Sequence, residues 1–163
     1  DERVLGKTAD ILREKCYVHD VAIIIERHML LVELFGLDGV HLPDGTKNVS
    51  KARKLLGSEA IVGAHCAASR HTGLSAGEIG ADYVTFGPVT ASKLDDGEIA
   101  GTELFEWWSQ MIEIPVVAEG QFDQESAALI GRHADFLAFS SEIWAREDPV
   151  TELRELMAFI NAS

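Results

Sequence analysis

Gly80-Ala81-Asp82-Tyr83-Val84-Thr85-Phe86-Gly87-Pro88-Val89 carries the pattern from which the rest of the chain can be read. A glycine suits the left-handed end of a helix. The Asp that follows opens a run that is apolar on both faces, the way a parallel strand reads when helices cover it. Leu37-Asp38-Gly39-Val40 and Ala134-Asp135-Phe136-Leu137 repeat the form, and Gly36 precedes the first as Gly80 precedes the second. Each copy therefore reads as a helix C-terminus turning into a strand. The three Asp residues then lie at the entry end of a parallel sheet and read as turn and stability residues.

Working outward, six runs read as strands: Val21–Ile25, Gly39–Leu42, Ala60–Ala64, Tyr83–Phe86, Pro115–Ala118 and Phe136–Phe139. Helical stripes lie between and around them. They comprise Leu5, Ala9, Leu12 and Cys16; Leu104, Phe105, Trp108, Met111 and Ile112; and Leu153, Leu156, Met157 and Ile160. Asp148 is the expected N-cap of the last helix, with Pro149 at its first position. Gly57 ends the helix begun near Asn48. Strands recur about every 20 residues, the period of a β/α unit, which suits a barrel or a doubly wound sheet. No glycine-rich dinucleotide loop follows the first strand, which weighs against the second.

The chain has 163 residues, 47% hydrophobic and 25% charged, enough for one domain over 1–163. Its longest apolar runs are about five residues, whereas a membrane span needs roughly 20. A formal charge of −13 disfavours nucleic acid and anionic membranes as partners. An anionic substrate would need local positive potential or a metal. Cys16 and Cys66 read as reduced thiols of a cytoplasmic protein.

Three segments resemble thiamine phosphate synthases and the related thiazole tautomerase. Leu37-Asp38-Gly39-Val40-His41-Leu42 is similar to their "ADGVHL" strand. Gly80–Val89 is similar to "GADYVxFGPV", and Ile114-Pro115-Val116-Val117-Ala118-Glu119-Gly120 to "IPVVAIGG". The spacing also agrees, and the likeness covers roughly residues 20–145. It implies a (β/α)8 barrel in which Val21–Ile25 is the third strand, so two strands and a helix are expected upstream. It implies an enzyme that joins an aminopyrimidine pyrophosphate to a thiazole phosphate, releasing pyrophosphate with help from Mg²⁺. The expected partner is a phosphorylated heterocycle, and a homo-oligomer is left open.

Several positions depart from that family. Glu26-Arg27 stands where the family has Asn-Asp, so a metal carboxylate becomes Arg27. Pro43-Asp44-Gly45-Thr46 stands for Gly-Gln-Glu-Asp, so the second metal Asp is Thr46, with Asp44 close by. His65 replaces a Ser and Gln121 a Gly, the Thr-rich pyrophosphate loop shortens to Thr90-Ala91-Ser92-Lys93, and Ser140-Ser141 keeps a family Ser in part. A weakened synthase is therefore expected. A tautomerase using Glu26, His65 or Glu119 as base, or a non-catalytic binder, remains a rival.

Active groups of barrels sit just after the C-terminal ends of strands. That rule selects Glu26, Arg27, His65 and Lys93 as catalytic candidates and Gly120, Gln121, Ser140 and Ser141 as the phosphate site. Asp44, with Glu26, is the metal candidate for Mg²⁺. His41 and His65 with Cys66 would be a zinc set, but alternation sends His65 and Cys66 to opposite faces. His41 reads as a buried core residue, Arg70 and His71 as surface, and Asp123 as a helix N-cap.

Overall fold

A computed structural model of the chain describes residues 2–90 and 98–162. Six parallel strands form one sheet in sequence order: β1 (Ile24–Glu26), β2 (Gly39–Leu42), β3 (Ile61–His65), β4 (Tyr83–Phe86), β5 (Val116–Glu119) and β6 (Phe136–Ala138). The helices are α1 (Glu2–Tyr17), α2 (Leu30–Phe35), α3 (Val49–Leu56), α4 (Arg70–Ile79), α5 (Thr102–Met111), α6 (Gln124–Gly131), α7 (Ser141–Trp144) and α8 (Pro149–Ala162). This is the order expected of consecutive β/α units. Among the described residues no helix is long and apolar enough to cross a membrane.

Strand register sorts the side chains into two faces. Val40 pairs with Val62, Ala64 with Val84, Val84 with Val116, and Phe86 with Ala118. All seven are fully buried, and each buried Val is worth about 1.5–3 kcal/mol over an exposed one. Phe86 stands edge-on to Trp108 of α5, with ring centroids 4.9 Å apart. Gly73 of α4 allows this, since a Cβ there would come within 2.8 Å of both rings. The opposite face carries Glu26, His41, Gly63 and Tyr83 in one row, then His65, Thr85 and Val117 in the next. Most of it is only part-buried.

The repeated Asp residues act as clamps at the entry end. Asp38, Asp82 and Asp135 accept from the backbone N–H of Ile23, Val62 and Val116, at 2.6, 2.7 and 2.8 Å. The N–H of each Asp returns a bond to the carbonyl of that same residue. Arg53 of α3 adds a salt bridge to Asp82 and bonds to Gly80 O, tying two β/α units together.

Several expected bounds and stripes need correction. Val21, Ala22 and Ile23 lie outside β1, Ala60 outside β3, Pro115 outside β5 and Phe139 outside β6, while β3 and β5 run on to His65 and Glu119. A boundary drawn where apolar residues stop misses strand ends whose last side chain faces the open side. On α1, Ala9 is buried but Leu5 and Leu12 are exposed. That helix packs beside α2, where Arg13 reaches Phe35 O, instead of on the sheet. Met111 and Met157 of the other stripes are exposed too. Asp148 does cap α8, accepting from Thr151 N–H at 3.1 Å, and the two cysteines are unpaired.

Candidate functional site

Thr85, in the middle of β4, is a buried polar residue on the part-open face. Its hydroxyl donates to Glu119 Oε2 at 3.0 Å, and His65 Nδ1 lies 2.9 Å from the same hydroxyl. His65 Nδ1 is also 3.3 Å from Glu119 Oε2. Thr85 has one proton and gives it to the carboxylate. Nδ1 therefore faces two acceptors and carries a proton, which leaves Nε2 as the ring's basic nitrogen when His65 is neutral. The His65 hydrogen bond, followed by smaller contributions that include Thr85, holds the Glu119 carboxyl below its ordinary range despite partial burial. Glu119 is an anion at neutral pH.

One row nearer the entry end, Tyr83 lies across β3. A Cβ on Gly63 would overlap its ring. The missing side chain lets Tyr83 reach β2, where its hydroxyl is 3.0 Å from His41 Nδ1 and the two rings stack. Burial lowers the His41 pKa and raises that of Tyr83 to about 12, with the Glu119 charge adding to the rise. His41 thus favours the neutral imidazole. It is a cavity-lining residue, correcting the core reading, because β2 presents it to the open face.

These residues and the loops after β5 and β6 bound a cavity of about 500 Å³, a size that suits a small heterocycle. Glu119, His41, Tyr83 and Thr85 line one part, while Gly120, Gln121 and Ser140 line another. Gly120 has φ +150°, and a Cβ there would come within 2.9 Å of Val89 N. Only glycine fits that backbone comfortably. Thr90 donates to Gln121 O at 2.7 Å and joins the loops after β4 and β5.

The expected phosphate donors are partly engaged. Ser140 N–H and Oγ–H donate to the two Glu142 carboxylate oxygens, both at 2.9 Å. A carboxylate of the chain itself stands at the pair of donors expected to meet a phosphate. Ser141 begins α7 and does not line the cavity. Asp123 is a helix cap, as expected, in a reciprocal pair with Ser126.

Glu26 pairs with Arg27 at 2.7 Å, and both are exposed. Arg27 has φ +66° and lines a separate groove with Lys51, Lys54 and Leu55, so it does not share the cavity. Asp44 is exposed and accepts from Asn48 Nδ2. Among the described residues no three His, Cys, Asp or Glu gather as a metal set. Cys66 is buried, bonds to Ala64 O, and has its thiol pKa pushed up to about 12 by burial, so it faces away from His65 as alternation requires. Lys93 lies outside the described residues. Tyr83 and Thr85 went unnoticed as site residues, whereas Glu142 was expected to bring negative charge to this region. The two stand two apart on one strand, Thr85 level with His65 and Tyr83 with Gly63, and the period of two was the signal that could have found them.

Comparison with known proteins gives the family and the fold. The family described as thiamine monophosphate synthase matches residues 1–143. A thiamine-phosphate synthase of Erythrobacter litoralis is 40% identical over 152 residues, 91% of this chain and 71% of that one. The one from Rhodospirillum centenum is 40% identical over 147 residues, covering 88% and 70%. Among solved structures, a thiamine phosphate pyrophosphorylase from Pyrococcus furiosus superposes with TM-score 0.86 over 99% of this chain and 78% of that one, at 23% identity. An orotidine 5'-phosphate decarboxylase from Pyrococcus horikoshii reaches 0.68 at 16% identity, covering 97% and 83%, a likeness of fold. With Asp-led parallel strands, a cavity at their C-terminal ends and relatives of this identity, the chain belongs to the thiamine monophosphate synthase family.

Proposed function

We propose that this chain performs the family's reaction, joining an aminopyrimidine pyrophosphate to a thiazole phosphate with release of pyrophosphate. The six strands are then the third to eighth of an eight-stranded (β/α)8 barrel. The observation that carries the reading is the cavity of about 500 Å³ beside Gly120, Gln121 and Ser140, at the sheet end where barrels do chemistry. The protein's part is to hold both substrates in line and to place donors where the leaving pyrophosphate gathers charge.

Mg²⁺ belongs to this proposal as a partner of the pyrophosphate. It usually takes one or two carboxylates with phosphate oxygens and water. Asp44 suits one such ligand, being an exposed carboxylate on the loop after β2. When bound, the ion would neutralise charge on the leaving group. With Arg27 and Thr46 at the family's metal positions, and Ser140 engaged by Glu142, synthesis runs far below the family's usual rate. Losing one fixed electrostatic contact costs about 3 kcal/mol, on the order of a hundredfold. A steady-state assay of thiamine phosphate with and without Mg²⁺ tests this. Weak Mg²⁺-dependent synthesis is expected. Robust Mg²⁺-dependent synthesis abolished by Asp44→Ala would show a rebuilt metal site, and no synthesis under any condition would exclude the activity.

A second reading, a thiazole tautomerase-like isomerase, draws on the His65–Thr85–Glu119 chain. A carboxylate-oriented imidazole is a general base. Deuterium uptake from D₂O by a thiazole phosphate, lost in His65→Ala, would favour it.

A further inference from the structure

The Glu119 carboxylate has no place in the activity as described, because it brings negative charge into a cavity meant for phosphorylated substrates. It stands where the family motif has Ile, directly before the glycine loop. Its Oε2 is fixed by Thr85 and faces His65. Oε1 is given no partner by the described residues, and the side chain lines the cavity. An oriented carboxylate with one free oxygen accepts a hydrogen bond and repels anions and lone pairs. The two substrates differ in this respect. A thiazole ring offers a nitrogen lone pair and no N–H, whereas an aminopyrimidine offers an exocyclic amine.

We infer that Glu119 is the specificity residue for the pyrimidine, accepting a hydrogen bond from the exocyclic amine on Oε1 while Thr85 and His65 hold Oε2. This rests on the synthase reading above. The same carboxylate disfavours a phosphate at its own part of the cavity and leaves the Gly120 and Ser140 part for the thiazole phosphate. His41, poised beside Tyr83 in neutral form, adds no positive charge to compete for that phosphate.

The probe is the aminopyrimidine monophosphate, which cannot release pyrophosphate, compared by titration calorimetry with its analogue bearing hydrogen in place of the amine. A hydrogen bond to a charged group is worth about tenfold or more in affinity, and the half-exposed position of Glu119 puts the expectation at the low end, about tenfold. Glu119→Ile should remove that preference. Glu119→Gln, which keeps the shape and an acceptor oxygen, should retain a smaller part of it. Equal binding of the two compounds by the unaltered protein, or a preference that survives in both variants, would overturn the inference and leave the synthase reading standing. Binding of neither compound, with thiazole phosphate also unbound, would overturn both.

Discussion

Thr85→Val separates the hydrogen-bonded centre from the packing around it, since valine has nearly the same shape and no hydroxyl. The change removes the bond to Glu119 Oε2 and the one shared with His65 Nδ1. A hydrogen bond to a charged group is worth about 1.5–3 kcal/mol, but the Glu119 side chain is 48% exposed and water replaces part of the loss. The expected destabilisation is about 1.5 kcal/mol, or roughly 3–6 °C in Tm for a domain of this size. Urea unfolding of the single variants Thr85→Val and Glu119→Gln and of the double variant would measure it, with an expected coupling of about 0.5–1 kcal/mol. The pH dependence has a fixed sign. Glu119 has its folded pKa lowered, so the stability it contributes is present above its unfolded value near 4.5 and is lost as pH falls through the folded value. The cost of Thr85→Val should thus be full at pH 7 and shrink on acidification below about pH 4.5. A cost that is independent of pH, or additive with Glu119→Gln, would show that the three groups do not act together.

Gly63→Ala places a methyl in the Tyr83 ring; it should cost about 1–3 kcal/mol and change the near-ultraviolet tyrosine signal, both read in a denaturation series. Ala67 is exposed with φ +49°, so Ala67→Gly should stabilise by about 0.5–1 kcal/mol, relief of left-handed strain outweighing glycine's entropy; a lower urea midpoint would contradict the strain. Glu142→Gln weakens the internal competitor for Ser140 and should tighten inorganic phosphate binding about fivefold, equivalent to roughly 1 kcal/mol, in a calorimetric titration.

The sheet was legible because its helix-covered face is written in Val, Ala and Phe, and because Asp38, Asp82 and Asp135 mark three strand starts. The open face was harder to read. Tyr83 and Thr85 sit inside an apparently apolar strand, where a Tyr and a Thr pass as ordinary β-formers. Their role depends on Gly63, whose missing side chain lets Tyr83 reach His41 two strands away. That is a tertiary relation no local pattern contains. Glu26 and Arg27 look like a site because they follow a strand, but the pair satisfies itself at 2.7 Å and Arg27 turns into a separate groove. Ser140 was found from its place after β6. What Glu142 does to it depends on a backbone turn, which composition does not specify.

The charge balance of the cavity sets a last expectation. None of the described residues lining it is Lys or Arg, while Glu119 lines it, Glu142 caps its Ser140, and the chain carries −13. On the proposed function, a phosphate bound there would be held by short-range donors against long-range repulsion. Salt screens the repulsion, with a Debye length of about 10 Å at 0.1 M, and affects direct hydrogen bonds much less. Thiazole phosphate affinity should therefore hold steady or rise as NaCl goes from about 0.02 to 0.2 M, the reverse of a site built on surface cations. Calorimetry at the two salt concentrations with Mg²⁺ absent decides it. Tenfold weaker binding at the higher salt would mean that a cationic side chain, and not the loops after β5 and β6, holds the phosphate.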